Sequence, residues 1–196
     1  MKNRGVYGKT LGEAFRLEKA PTFTSRTLRD VEIGVTHIAC DIENNGMTSP
    51  LPMDDAYLVT VQLVACEAHD LWIDGKPRKT GPLVPGSVSI YDLRQMPVVN
   101  SISTFENLHF YLPRPALAAV SGRDRPSLPN EIDSEPGIGV VDPVLHRLAL
   151  SLLPSFERPV ETARLFVDHV TTAVAAYVAE RYVTEDGPVD ETPLLS

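Results

Sequence analysis

The sequence predicts an α+β protein in which an antiparallel β-barrel or sandwich comes first and helices follow. Three observations carry this. Short apolar segments between residues 31 and 112 are separated by turn residues, at the spacing of a many-stranded antiparallel sheet. The pair Asp74-Gly75 closes one of them as a hairpin, because both residue types accept the positive φ angles of a type I′ turn. After a stretch rich in Pro, Asp and Arg, residues 122–130, the apolar period lengthens to that of a helix.

Residues 1–30 mix charges with Gly and Thr and carry little period, which reads as a loosely held arm. Residues 31–121 form the barrel. In it Val31, Ile33 and Val35 alternate with Glu32, Gly34 and Thr36, the pattern of a half-buried strand. Asn44, Asn45 and Gly46 break the pattern, and Pro50 and Pro52 keep the connection irregular. Residues 56–66 are β-branched and almost continuously apolar, so that strand is covered on both faces or curved within a barrel. Residues 69–73 lead into the Asp74-Gly75 turn. Pro85 and Gly86 open a strand over 87–93, and a further strand over 105–112 ends at Pro113, which withholds a ladder donor.

Residues 122–141 are a connecting loop, with Gly137 and Gly139 turning the chain into Asp142-Pro143. Residues 142–183 are helical. Asp142 suits the N-cap of a helix over 143–153 that Pro154 ends. Pro159 suits the first position of a longer helix running to about Tyr182, roughly 36 Å at ~1.5 Å per residue. Ala163, Phe166, Val167, Val170, Val174, Tyr177 and Val178 share one stripe of it. Arg164 and Asp168 are spaced to pair on its surface, and a structural role at a helix interface is expected for His169. Residues 184–196, with Asp, Glu and Pro, read as a disordered tail.

Bulk properties exclude some functions. The 196 residues carry 26 Asp and Glu against 18 scattered Lys and Arg, a net charge of −8 that disfavours a nucleic-acid-gripping surface. Cys40 and Cys66 sit in apolar, strand-like sequence and read as free buried thiols. The basic start lacks the apolar core of a signal peptide, and no run approaches the ~20 apolar residues of a membrane span, so a cytoplasmic location is expected.

No catalytic constellation stands out. A cupin metal centre needs three or four His and Glu side chains from closely spaced positions. Here His37, His69, His109, His146 and His169 are scattered, the nearest two 23 positions apart. Ser87, Ser89, Asp92 and His109 form a triad only on paper, since neither serine sits in a nucleophile elbow. Gly137-Ile-Gly139 lacks the third glycine of a dinucleotide loop. Neither an enzyme nor a metal or cofactor site is expected. Five residues are candidates for an effector pocket in a hollow barrel: Tyr57, Trp72, Tyr91, His109 and Tyr111. A period of two places His109 and Tyr111 on one face and Leu108 and Phe110 on the other; it leaves open which face is inside.

Four segments then bear on function: His69-Asp-Leu-Trp-Ile-Asp-Gly75, Tyr91-Asp-Leu-Arg94, Glu106-Asn-Leu-His-Phe-Tyr-Leu-Pro-Arg114 and Phe166-Val-Asp-His169. Asp142-Pro143 and Leu152-Leu-Pro154 lie between the last two. In this order they resemble the effector-sensing half of AraC/XylS-type transcription regulators, over roughly residues 23–182. The resemblance implies a cupin-like barrel that takes an unknown small-molecule effector, and helices that pair two subunits as a homodimer. It assigns the stripe of Ala163, Phe166, Val167, Val170, Val174 and Tyr177 to dimerisation. The residues after Tyr182 are too few for two helix-turn-helix units, so DNA contact is expected only through a domain that this chain does not contain. A small cupin-type enzyme and a ligand-free interaction module are the competing readings.

Overall fold

A computed structural model describes residues 5–26, 30–121, 132, 134–161 and 163–183. The chain opens with helix α1 (Lys9–Ala14). Strands β1 (Thr22–Arg26), β2 (Glu32–Cys40), β3 (Gly46–Met47), β4 (Ala56–Gln62) and β5 (His69–Ile73) follow. Then come β6 (Lys76–Arg78), β7 (Ser87–Asp92), β8 (Val98–Ser101) and β9 (Phe105–Pro113). Helix α2 (Arg114–Ser121), the short strand β10 (Val140–Val141) and helices α3 (Pro143–Glu157) and α4 (Arg164–Arg181) complete it. All strand pairs are antiparallel, in a six-stranded sheet ordered β1-β2-β9-β4-β7-β10 and a four-stranded sheet ordered β3-β8-β5-β6. The α+β class expected from the sequence is the one observed: an antiparallel β-barrel of two sheets followed by helices.

The central strands of the large sheet, β4, β7 and β9, are buried on both faces, and side-chain alternation sorts their residues into two cores. Tyr57, Val59 and Val61 of β4 join Leu108, Phe110 and Leu112 of β9 on the outer face. There they pack against Leu145, Ala149 and Leu152 of α3 and Val167, Val174 and Val178 of α4. The alternate positions, including Leu58, Tyr91 and Phe105, face the barrel interior. They meet Leu71 and Ile73 of the small sheet and Leu11 and Phe15 of the N-terminal segment. Every residue of β4 is buried for this reason, which explains its unbroken apolar sequence.

The local signals act as expected. Asp74 and Gly75 adopt φ of 51° and 70°, closing β5 onto β6. The Asp142 carboxylate caps α3 by accepting from Val144 N–H at 2.9 Å and Leu145 N–H at 3.0 Å. Its other oxygen accepts from the Tyr182 hydroxyl at 2.7 Å, and its backbone N–H donates to Gly86 O at 3.1 Å. One residue thus ties the start of α3, the end of α4 and the start of β7 together. Cys40 and Cys66 are free and buried. Among the described residues no helix is long and apolar enough to cross a membrane.

Several elements differ from the expectation. Part of the N-terminal stretch is not a loose arm: Val6, Leu11, Ala14 and Phe15 are buried, and Gly8 N–H donates to Thr36 Oγ1 at 2.8 Å. Its burial depends on distant partners, which leaves no local period to read. Pro154 does not end α3. The last turn is held by Phe156, whose ring lies 4.9 Å from that of Phe23 and 5.6 Å from that of His37. Pro159 opens a 3₁₀ turn (Pro159–Glu161), and α4 begins only at Arg164, so the helix is about 27 Å long. Helix α2 follows Pro113 directly and was not expected.

The apolar stripe of α4 also has a different partner. Val167, Val170 and Val174 are buried within this chain against the large sheet, so their side chains are not on offer to a second subunit. Ala163 and Phe166 stay exposed and Tyr177 is half-buried. His169 is exposed rather than at a helix interface, its ring nitrogen bonded to Leu165 O at 2.7 Å. Arg164 and Asp168 do pair, at 3.4 Å, and Asp168 also accepts from the Ser25 hydroxyl at 2.7 Å. Residues 1–4 and 27–29 of the expected arm, residues 122–131 and 133 of the expected loop and the expected tail at 184–196 lie outside the described residues.

Candidate ligand-binding site

Between the two sheets lies a cavity with about 60 Å³ open to the centres of water molecules. A water needs on the order of 10–15 Å³ measured this way, so the space takes a few waters or a ligand of a few heavy atoms. Its apolar wall is built from Leu51, Leu58, Leu83, Val99 and Phe105. Phe15, carried in by the turn after α1, closes one side, its ring 5.6 Å from Phe105 and 5.7 Å from His109. Hydrogen bonds to the backbone hold this closure: Ser49 N–H donates to Ala14 O at 3.0 Å, and the Asn45 side chain donates to Phe15 O at 2.8 Å.

Polar groups enter this wall at His69, Asn107 and His109, which are 6%, 8% and 3% exposed. Strand alternation brings them there: Asn107 and His109 are two apart on β9, and His69 shares the inner face of β5 with Leu71 and Ile73. His109 Nδ1 and Thr60 Oγ1 are hydrogen-bonded at 2.9 Å. Four buried atoms of the cavity-lining residues lack a partner among the described residues: His109 Nε2, Asn107 Oδ1 and both ring nitrogens of His69. Buried polar groups are normally satisfied, and each unsatisfied one costs roughly 1–3 kcal/mol. A cluster of them around one cavity is the mark of a place that something polar fills.

The electrostatics are one-sided. Burial, and then the charge of His37, lower the His109 pKa to about 3. Burial also lowers His69, against a smaller opposing pull from Asp70. It pushes the Tyr91 phenol up to about 12 and raises the Cys66 thiol. At neutral pH all four are uncharged. Among the described residues no three His, Cys, Asp or Glu side chains converge as a metal-ligand set. A larger groove of about 550 Å³ runs past Arg78, Lys79 and Glu135, but it is an open surface feature without buried unpartnered groups.

Of the five residues predicted for a pocket, Tyr91 and His109 line this cavity. Tyr111 shares their face but lies nearer the N-terminal segment, its ring 5.4 Å from Tyr7 and its hydroxyl donating to Asp54 at 2.7 Å. Tyr57 points to the opposite face, with the Arg114 guanidinium 4.2 Å from its ring centre. Trp72 alternates with the inward Leu71 and Ile73 and sits half-buried outside the cavity. Sequence reasoning missed Phe15, Thr60, His69 and Asn107. For Asn107 a signal existed, since it is in phase with His109.

No family model matches the chain, and no curated protein is similar to it in sequence. Solved structures are similar to it. One is the AraC-like transcriptional activator CuxR, at 14% identity and a TM-score of 0.43, over 86% of this chain and 59% of that one. Another is a cupin superfamily protein from Desulfitobacterium hafniense, at 13% identity and a TM-score of 0.33, over 49% of this chain and 79% of that one. A third is a conserved protein of unknown function from Streptococcus pyogenes, at 10% identity and a TM-score of 0.35, over 49% of this chain and 75% of that one. Likeness this distant says nothing about ligand or partner. The architecture rests on the strand register itself.

Proposed function

We propose that this chain is the ligand-sensing part of a transcription regulator of the AraC/XylS kind, binding rather than transforming a small molecule inside its barrel. One observation carries the reading. Three of the four segments behind the sequence resemblance converge on the cavity: His69 from the first, Tyr91 from the second, Asn107 and His109 from the third. Unpartnered buried nitrogens and an oxygen among aliphatic walls are the makeup of a small-molecule site. The fourth segment lies on α4, where Val167 packs on the outer face of the same sheet. Ligand occupancy would bias that packing, and through it an attached DNA-binding domain. Pairing of two copies is part of the proposal; the exposed Leu150, Leu165 and Phe166 are among the apolar side chains open to it, whereas the buried stripe is not.

A thermal-shift screen of small polar organic molecules tests this, run beside the variant His69→Phe. A ligand at ~100 times its Kd adds about 2.7 kcal/mol of stability. His69→Phe removes two unpartnered nitrogens, so it should leave the unliganded protein as stable or more so, while abolishing the shift. A screen without any stabilising compound, or compounds that act equally on the variant, would count against a sensor.

A further inference from the structure

We infer that the barrel cavity selects an uncharged ligand, one with a hydrogen-bond-donating head such as a primary amide or hydroxyl on a short apolar body. This rests on the reading of the barrel as a sensor and narrows it to a chemical class. Two independent observations support it.

The first is where the charges go. None of the described residues lining the cavity is Asp, Glu, Lys or Arg. Acidic residues do occur on the same strands, next to cavity residues: Asp70 follows His69, Glu106 precedes Asn107, and Asp92 follows Tyr91. Strand alternation turns each of them away from the interior, and each is engaged there. Asp70 accepts from the Asn100 side chain at 3.0 Å, Glu106 pairs with His37 at 2.9 Å, and Asp92 holds Arg94 at 2.6 Å and Arg114 at 3.0 Å. An ion entering the cavity would lose its water and find no counter-ion.

The second is the pattern of unmet hydrogen bonds. Asn107 Oδ1 accepts only, so its partner must donate. A neutral imidazole presents one donor and one acceptor, and His69 has both of its nitrogens free for that exchange. His109 adds a single position, Nε2, whose role follows the hydrogen shared with Thr60. A head that both donates and accepts fits this set. A carboxylate only accepts and leaves Asn107 Oδ1 facing another oxygen. An amidinium only donates and meets the imidazole N–H. Leu58, Leu83 and Phe105 then take the apolar body.

Calorimetric titration of the full chain at about pH 7.5 with matched planar isosteres tests the class. Butanamide, butanoate and butanamidine share one shape and differ in charge; the propane-derived trio repeats the comparison at smaller size. The expected result is that the amide binds at least about tenfold more tightly than either ion on each skeleton, and that Asn107→Leu erases this preference. If butanoate or butanamidine binds as tightly as butanamide, the neutral-ligand inference fails while the sensor reading stands. If no compound in either trio binds saturably, the sensor reading fails as well.

Discussion

Acid should destabilise this protein by a definite amount through His109. The ring is buried, bonded through Nδ1 to Thr60 Oγ1 at 2.9 Å, and its pKa is lowered to about 3, chiefly by burial. In the unfolded chain the same side chain titrates near 6.5. Between those two values the unfolded state carries a proton that the folded state does not. Stability therefore falls as pH falls through this window and is fully present only above the unfolded value. From pH 7 to pH 5 one such histidine removes about 2 kcal/mol. His69, lowered in the same direction, adds to the loss. Urea unfolding at both pH values, for wild type and His109→Gln, isolates the contribution: glutamine stays within reach of Thr60 but does not titrate. Carboxylates protonate alike in both proteins and cancel. Wild type should lose about 2 kcal/mol more than the variant across this interval. Losses that agree within about 0.5 kcal/mol would refute the buried neutral imidazole.

Two further outcomes concern the helices. Asp142→Ala should cost about 2–4 kcal/mol in urea unfolding, since it removes an N-cap and leaves the buried Tyr182 hydroxyl without its acceptor; Tyr182→Phe alone should cost about 1 kcal/mol. Val174→Asp should abolish cooperative unfolding seen by circular dichroism, because it buries an unpaired charge in a fully enclosed position. Phe166→Asp, at a 43% exposed site, should keep the melting temperature and weaken association in light scattering. The opposite pattern would return the interface to the buried stripe.

Much of the architecture was legible because it rests on local chemistry. Asp74-Gly75 could close a hairpin wherever it lay, Asp142 before Pro143 could cap a helix, and an unbroken apolar β4 had to be covered twice. What stayed hidden was whatever depends on a distant partner. The stripe on α4 has the same pattern whether it meets a second subunit or its own sheet, and only the fold shows the latter. Phe15 lies beyond a six-residue helix containing Gly12, too short and too irregular to announce a lid. The candidate pocket divides along the same line. His109 and Tyr91 were found as polar or aromatic residues on strands, whereas Tyr57 and Trp72 satisfied that criterion equally and fall on outer faces. Alternation places residues on a face, but where both faces are buried it does not say which one encloses a cavity.

The most direct test uses that alternation. Carbon-13-labelled methyl groups of the large sheet and its neighbours can be followed by NMR during titration with the tightest compound from the screen. Leu58 of the large sheet, Val99 of the small sheet and Leu83 face the cavity, while Val59, Leu108 and Leu112 of the large sheet face the helices. The expected result is saturable shifts largest in the first three, with a common Kd. Shifts confined to Val59, Leu108 and Leu112, or saturable binding that moves none of the six, would mean that the ligand sits elsewhere and the barrel interior is not a sensor.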